Sequence, residues 1–258
     1  GVWVDAVLGD WIEGVTLHEA AAEAALARDT AKLRSLAESF DVLAAGMIAD
    51  DCAHGDLKPA NIIVDRELKL HPIDFDATFL PAFAGEASPE LGTAAYQHPA
   101  RTAADFNERL DDYPAALIST GLHALAEDPT FWDRYGTTDG LLFSPREIPG
   151  DPAYREALAL FERRGRAVQY RVAQLLCAPS LQLFGLAGLL REAVRQAGEQ
   201  QPATDESTPE LFVENGRWGY RTPQRIVIPP LYDSGFDFTE GLAAVLLGGT
   251  WHYIDTTG

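Results

Sequence analysis

His54-Gly55-Asp56-Leu57-Lys58-Pro59-Ala60-Asn61 places a carboxylate, an ammonium and a carboxamide within one short loop, and Ile73-Asp74-Phe75-Asp76 adds two further carboxylates shortly afterwards. These are the groups that phosphoryl transfer uses. A carboxylate orients the acceptor hydroxyl and takes its proton, a cation neutralises charge on the transferring group, and side-chain oxygens hold magnesium on the phosphates of ATP. On this reading Asp56 is the base or hydroxyl-orienting group, Lys58 the cation, and Asn61 and Asp74 the magnesium ligands. The plain alternative is an acidic turn that caps a helix and a hairpin, but the whole set at this spacing outweighs it. Asp76 either joins the metal site or faces solvent.

Such groups need a rigid frame. After Asp29-Thr30, the residues Leu33, Leu36, Phe40, Leu43 and Met47 recur at three- and four-residue spacing, which predicts a long helix that delivers the loop at its C-terminal end. Ile62-Ile63-Val64 and Leu68-Lys69-Leu70 flank the polar turn Asp65-Arg66-Glu67, a hairpin that brings Asn61 and Asp74 to one end. Upstream, Val2 to Leu8 is β-rich, and Asp10 to Leu17 is an extended run closed by a glycine and a Thr cap. Downstream, Asp111-Asp112-Tyr113-Pro114 opens the apolar run Ala115 to Ala126, and Pro152 to Ala178 and Leu181 to Ala197 read as two more helices. The tract from Glu199 to Pro209 is too polar to pack and reads as a linker.

A net charge of −19 argues against nucleic acid or an anionic membrane surface as partner and makes a basic substrate face easier to accommodate. Cys52 and Cys177 form neither a disulfide framework nor a metal-spaced cluster, so a reducing cytoplasm is the expected setting. The apolar stretch Leu175 to Leu190 is broken by Pro179, Ser180, Gln182 and two glycines, and it falls short of the about 20 residues that span a bilayer. No membrane insertion is expected. Gly1 at the start, a single Met at position 47 and the strand-like ending Trp251 to Gly258 read as a chain cut from a longer protein.

The loop and the Asp-Phe motif resemble the H-R-D-L-K-P-x-N and D-F-G pair of the bacterial, eukaryotic-like serine/threonine protein kinases, with Gly55 in place of Arg and Asp76 in place of Gly. Leu91-Gly92-Thr93-Ala94-Ala95-Tyr96-Gln97-His98-Pro99 resembles the G-T-x-x-Y-x-x-P of that family's activation segment. The resemblance implies a helical C-terminal lobe over residues 1–197 that starts at the hinge, with ATP and Mg2+ as cofactors and a protein Ser or Thr hydroxyl as acceptor. It places the Asp10 carbonyl and the Ile12 N–H at the adenine edge, Ile63 at the floor of the adenine pocket, and the Thr93 hydroxyl on Asp56 and Lys58. It makes Asp111 the acceptor of hydrogen bonds from the backbone of the 54–61 loop, and it leaves His54 structural. Where the family has a bracing Glu, Ala100 and Arg101 stand, so a substitute contact must hold the segment. Gly55 removes the cation on which a phosphorylated segment would dock. The family's glycine-rich loop and Val-Ala-Ile-Lys lysine do not appear before Asp10, so the resemblance implies no activity for these residues alone.

After a linker at 198–210 the period becomes β, with Leu211-Phe212-Val213, Trp218-Gly219-Tyr220, Ile226-Val227-Ile228 and Leu242 to Leu246 as short strands. Trp218-Gly219-Tyr220 and Trp251-His252-Tyr253 read as two occurrences of one phrase. Residues 211–258 resemble the WG β-repeat, a bacterial module, here cut short, that would recruit a protein partner. Its aromatic residues, Trp218, Tyr220, Trp251 and Tyr253, are expected to pack inward. The fold expected is therefore α+β: a mainly helical, kinase-like lobe with small hairpins, then a small antiparallel β module. Two other functions fit the same residues. One is a small-molecule kinase of the aminoglycoside or choline type, against which Lys58 and the Gly92 to Pro99 segment weigh. The other is a pseudokinase scaffold that binds through its β module.

Overall fold

A computed structural model of the chain describes residues 11–138, 140–200, 209–222, 225–238 and 242–255. It combines helices with small antiparallel sheets, an α+β arrangement, and divides into two compact units, Gly1–Ala197 and Gly198–Gly258.

The first unit opens with β1 (Val15–Thr16), which runs directly into α1 (Leu17–Leu26). Thr16 ends the extended run because its hydroxyl accepts the Glu19 N–H while the Glu19 carboxylate accepts the Thr16 N–H, a reciprocal capping box. Asp29 caps α2 (Thr30–Ala49) by accepting the Lys32 N–H. Leu33, Leu36 and Phe40 are fully buried along α2, and the buried stripe then continues through Ala44 and Ile48 rather than Leu43 and Met47, which are half-buried. The helix ends at Asp50 and delivers the 54–61 loop, whose last residues, Pro59–Asn61, form a 3-10 turn.

β2 (Ile62–Val64) and β3 (Leu70–Pro72) form the hairpin, and β1 joins its other edge in the antiparallel order β1-β2-β3. Asp65 organises the turn. One carboxylate oxygen accepts the N–H groups of Glu67 and Lys69, and the other pairs with His71 Nε2 at 2.7 Å.

The centre of this unit is α3 (Asp112–Glu127), buried on nearly every face. It packs on α2 through one polar clamp: Asp41, buried on α2, accepts the Ser119 hydroxyl at 2.6 Å and meets His123 Nε2 at 2.8 Å. A buried carboxylate is tolerated there because both of its oxygens have partners. α4 (Phe131–Tyr135), α5 (Pro152–Arg163), α6 (Ala167–Leu175) and α7 (Leu186–Gln200) complete the unit. The single helix expected over 152–178 is two, because Gly165 takes a left-handed φ of 66° and the chain reverses there. The helix expected from Leu181 starts at Leu186, after Gly185 at φ 87°, and it continues to Gln200, so residues 198–200 of the expected linker are helical. Residues 201–208 of that linker lie outside the described residues, as does the β-rich stretch Val2 to Leu8.

The second unit holds two three-stranded antiparallel sheets. β4 (Glu210–Glu214), β5 (Arg217–Arg221) and β6 (Ile226–Tyr232) make one; β7 (Ser234–Gly235), β8 (Leu242–Leu247) and β9 (Thr250–Asp255) make the other. Tyr220, Ile228, Ala243 and Val245 form a shared core, and the Tyr220 hydroxyl donates to the Phe236 carbonyl at 2.8 Å. Gly219 sits where β5 and β6 slip register: a Cβ there would lie 2.6 Å from the Ile228 carbonyl oxygen, closer than a side chain permits. The expectation of four inward aromatics needs correction. Tyr220 is buried and Trp218 half-buried, but Trp251 and Tyr253 are 50% and 78% exposed. They lie on β9, an edge strand whose outer side no described strand pairs.

Candidate functional site

The site forms where the 54–61 loop meets the segment 88–101. Asp111 holds the loop from beneath: fully buried, its carboxylate accepts the N–H groups of His54 and Gly55, the latter at 3.1 Å. His54 is buried and structural. Its Nδ1 accepts the Asp56 N–H at 3.4 Å, which leaves Nε2–H to donate to the Ile73 carbonyl at 2.8 Å. Gly55 takes φ +80°, and a Cβ there would lie 2.0 Å from the Ala77 carbonyl oxygen. Only glycine fits this position.

Above this support Asp56 is the hub. Lys58 Nζ donates to Asp56 Oδ2 at 2.7 Å and to Thr93 Oγ1 at 3.0 Å. Asn61 Nδ2 donates to the Asp56 backbone oxygen at 3.1 Å and to Oδ2 at 3.3 Å. The Thr93 N–H meets Asp56 Oδ1 at 2.5 Å and its hydroxyl meets Oδ2 at 3.4 Å. Burial pushes the Asp56 carboxyl upward, but the hydrogen bonds from Lys58 and Thr93 and the Lys58 charge outweigh it and hold the group below its ordinary value. Asp56 is therefore a carboxylate at neutral pH. Gly92, at φ +68°, allows this approach: a Cβ would lie 3.0 Å from Asp56 Oδ1 and 2.8 Å from the Gly55 carbonyl.

The structure thus brings Asp56, Lys58, Asn61 and Thr93 into one bonded cluster. Asp74 follows Ile73, whose N–H donates to the Asn61 carbonyl at 2.9 Å, so the hairpin sets the two backbones side by side. The Asp74 side chain is exposed, at φ 68°, and Asp76 is exposed too. Among the described residues no group of three or more His, Cys, Asp or Glu is arranged to hold a metal ion. The oxygens available for one are Asn61 Oδ1, left over when its Nδ2 is spent on Asp56, and the Asp74 carboxylate. Both are the hard donors that magnesium takes, with several waters or phosphate oxygens completing the shell.

Ile63 is half-buried on β2, opposite Thr16 and His71. A Cβ at Gly14 would fall 2.7 Å from Ile63 Cγ2, so the absence of a side chain at Gly14 lets the incoming strand lie flat on it. Ile12 is half-buried ahead of β1, and Asp10 lies outside the described residues. A cavity of about 550 Å³ opens beside Ala94 and Ala95, with Phe143, Arg146 and Asp151 in its wall.

Sequence reasoning gave no role to Arg101, Ser88 or Gln97. Arg101 Nη1 donates to the Gly55 carbonyl at 2.7 Å, and Nη2 reaches the Ser88 hydroxyl at 3.3 Å and the Glu90 carbonyl at 3.1 Å. A guanidinium does arrive beside Gly55 from residue 101, with both of its Nη groups bonded to protein acceptors. Its only sequence signal was its place, where the resembled family has a brace.

Among the described residues no helix is long and apolar enough to cross a membrane. A family model, the WG containing repeat, matches residues 224–251, which lie in the second unit. No curated protein matches the chain.

Proposed function

We propose that the first unit is the catalytic lobe of an ATP-dependent phosphotransferase acting on a Ser or Thr hydroxyl of a protein, and that the second unit binds a protein partner through its WG-type strands. The observation that carries the reading is the Asp56 carboxylate held by Lys58, Asn61 and Thr93 over a loop pinned by Asp111. This arrangement fixes one acceptor oxygen in space and keeps it ionised. In the proposed step the acceptor hydroxyl donates its hydrogen bond to Asp56, its oxygen forms a bond to the γ-phosphorus, the bond to the ADP oxygen breaks, and the hydroxyl proton passes to Asp56. Lys58 faces the charge that builds on the transferring group, and Asn61 Oδ1 and Asp74 are the groups that would hold magnesium. Bound magnesium supplies charge neutralisation on the nucleotide phosphates.

A protein acceptor is favoured over a small molecule by the segment Gly92 to Pro99, which lies folded against Asp56 and opens beside Ala94 and Ala95 into a cavity with room for a neighbouring side chain. The test is transfer of label from ATP to a general protein acceptor, in a chain that joins this lobe to a nucleotide-binding lobe, with Asp56→Ala alongside. Loss of at least about 100-fold in the variant is expected for removal of the base; equal labelling would end the assignment. A second reading, a scaffold that binds nucleotide without turnover, is favoured by the exposed, unclustered Asp74. Magnesium-dependent ATP binding with no transfer in either chain would select it.

A further inference from the structure

Segment 88–101 approaches the 54–61 loop with few side chains able to hold it there. Ser88 is tied within its own stretch, its hydroxyl donating to the Glu90 carbonyl at 2.5 Å and its N–H to the Ala103 carbonyl at 2.8 Å. Gly92 has no side chain, and Ala94 and Ala95 have no polar group. Two side chains of the segment reach across: the Thr93 hydroxyl meets Lys58 Nζ at 3.0 Å and Asp56 Oδ2 at 3.4 Å, and Arg101 places Nη1 on the Gly55 carbonyl at 2.7 Å while Nη2 stays on Ser88 and Glu90 within the segment. Gly55 immediately precedes Asp56, and Glu90 lies three residues before Thr93. A planar fork reaching two backbone carbonyls from one rigid group holds distance and angle together, which an ammonium cannot do.

We propose that Arg101 is a positioning residue that clamps segment 88–101 onto the 54–61 loop and thereby keeps the Thr93 N–H on the Asp56 carboxylate. The inference rests on the reading of Asp56 as the reacting group, although the clamp is a structural claim that stands or falls separately. The guanidinium is half-buried, and burial disfavours its charge more than the nearby carboxylates of Asp111, Asp56 and Asp105 support it, so the hydrogen bonds of Nη1 and Nη2 are what hold it in place. A reserve donor also lies close. Gln97 is buried, its Nε2 has no hydrogen-bond partner, and that nitrogen and the Gly55 carbonyl oxygen each lie 2.8 Å from the point a Gly92 Cβ would occupy. Without Arg101, the unpartnered Gln97 amide is a donor placed to take over the carbonyl.

The experiment is residue-resolved hydrogen exchange on the full chain, read at the Thr93 amide against core amides of α3 such as Leu122. Arg101→Ala is expected to speed Thr93 exchange at least about tenfold while Leu122 is unchanged, because the lost contact is local. Millimolar ethylguanidinium is expected to restore protection, and Arg101→Lys, which keeps the charge but not the fork, to fall between. The double variant Arg101→Ala/Gln97→Leu is expected to exchange faster than Arg101→Ala. Equal slowing or speeding at Thr93 and Leu122 would mean that Arg101 supports only global stability and would overturn the clamp, as would unchanged Thr93 exchange. If Arg101→Ala does not fold, Arg101→Lys decides alone: wild-type protection at Thr93 overturns the proposal. None of these readouts depends on phosphoryl transfer, so an inactive Asp56 site and an absent clamp give different results.

Discussion

Asp56 and Gly55 show how much a single position depends on its neighbours. The carboxyl of Asp56 is partly buried, which by itself favours the neutral form, yet bonds from Lys58 and Thr93 keep it ionised. Lys58→Met removes one of those donors and its charge, so the Asp56 carboxyl is expected to titrate at higher pH, measurable by carboxyl-carbon NMR. The sign for stability follows. A carboxyl whose folded value lies below its unfolded value stabilises the fold above the ordinary carboxylate range and loses that contribution as pH falls through the folded value. Lys58→Met should therefore flatten the acid limb of the stability curve. Gly55→Ala is expected to destabilise by about 2 kcal/mol or more in urea unfolding, since it combines a left-handed φ with a clash against backbone. Gly165→Ala is the control: its φ is also positive, but nothing lies within 4 Å, and about 1 kcal/mol is expected.

At the scale of elements, the polar groups between helices matter as much as the apolar stripes. Asp41 joins α2 to α3 through Ser119 and His123, and Asp41→Ala would strand the buried Ser119 hydroxyl and the half-buried His123 ring, at an expected cost of about 2 kcal/mol by chemical denaturation. At the head of α3, burial lifts the Asp112 carboxyl to about 6 despite its bonds from the Leu183 N–H and Arg109. One of its oxygens has no partner. A carboxyl that binds its proton more tightly when folded costs stability as pH climbs from the unfolded value to the folded one. Asp112→Asn should therefore remove part of the fall in urea midpoint between pH 4 and pH 6, with wild type falling more steeply over that interval. Helix boundaries at this scale depended on glycine. The apolar period continues across Gly165, but only the left-handed turn there lets α6 fold back beside α5.

For the whole molecule, the change from helical to β period after residue 209 coincides with a second compact unit with its own core. Tyr220 and Tyr253 occupy like places in two similar phrases and have opposite fates, the first buried and the second exposed. Tyr220→Phe removes the hydroxyl that links the two sheets through the Phe236 carbonyl, an expected loss of about 1 kcal/mol. Trp251 is half exposed and stacks on Phe236, itself 61% exposed, so Trp251→Ala is expected to cost less. Intrinsic fluorescence during urea unfolding of the full chain separates the two. The difference follows from strand order: β5 lies between two partners and β9 lies at an edge.

The residues that name a chemistry were legible in the sequence because their spacing is local. Asp56, Lys58 and Asn61 fall within one loop, Thr16 and Asp29 sit one turn from the amides they cap, and the turn at Asp65 is closed by residues two and four places on. Period located the long helix and the change to β structure, a polar turn between two apolar runs marked the hairpin, and the family resemblance pointed to Asp111. Tertiary structure decided whatever depends on contacts between residues far apart in the chain. It set the Thr93 N–H on a carboxylate 37 residues away and the Arg101 guanidinium on a carbonyl 46 residues away, it left the Asp74 side chain exposed, and it put Tyr220 inside and Tyr253 at an edge. A hydrogen bond reports direction and distance to within an ångström, whereas a pattern of residue types reports only which side of an element faces the core.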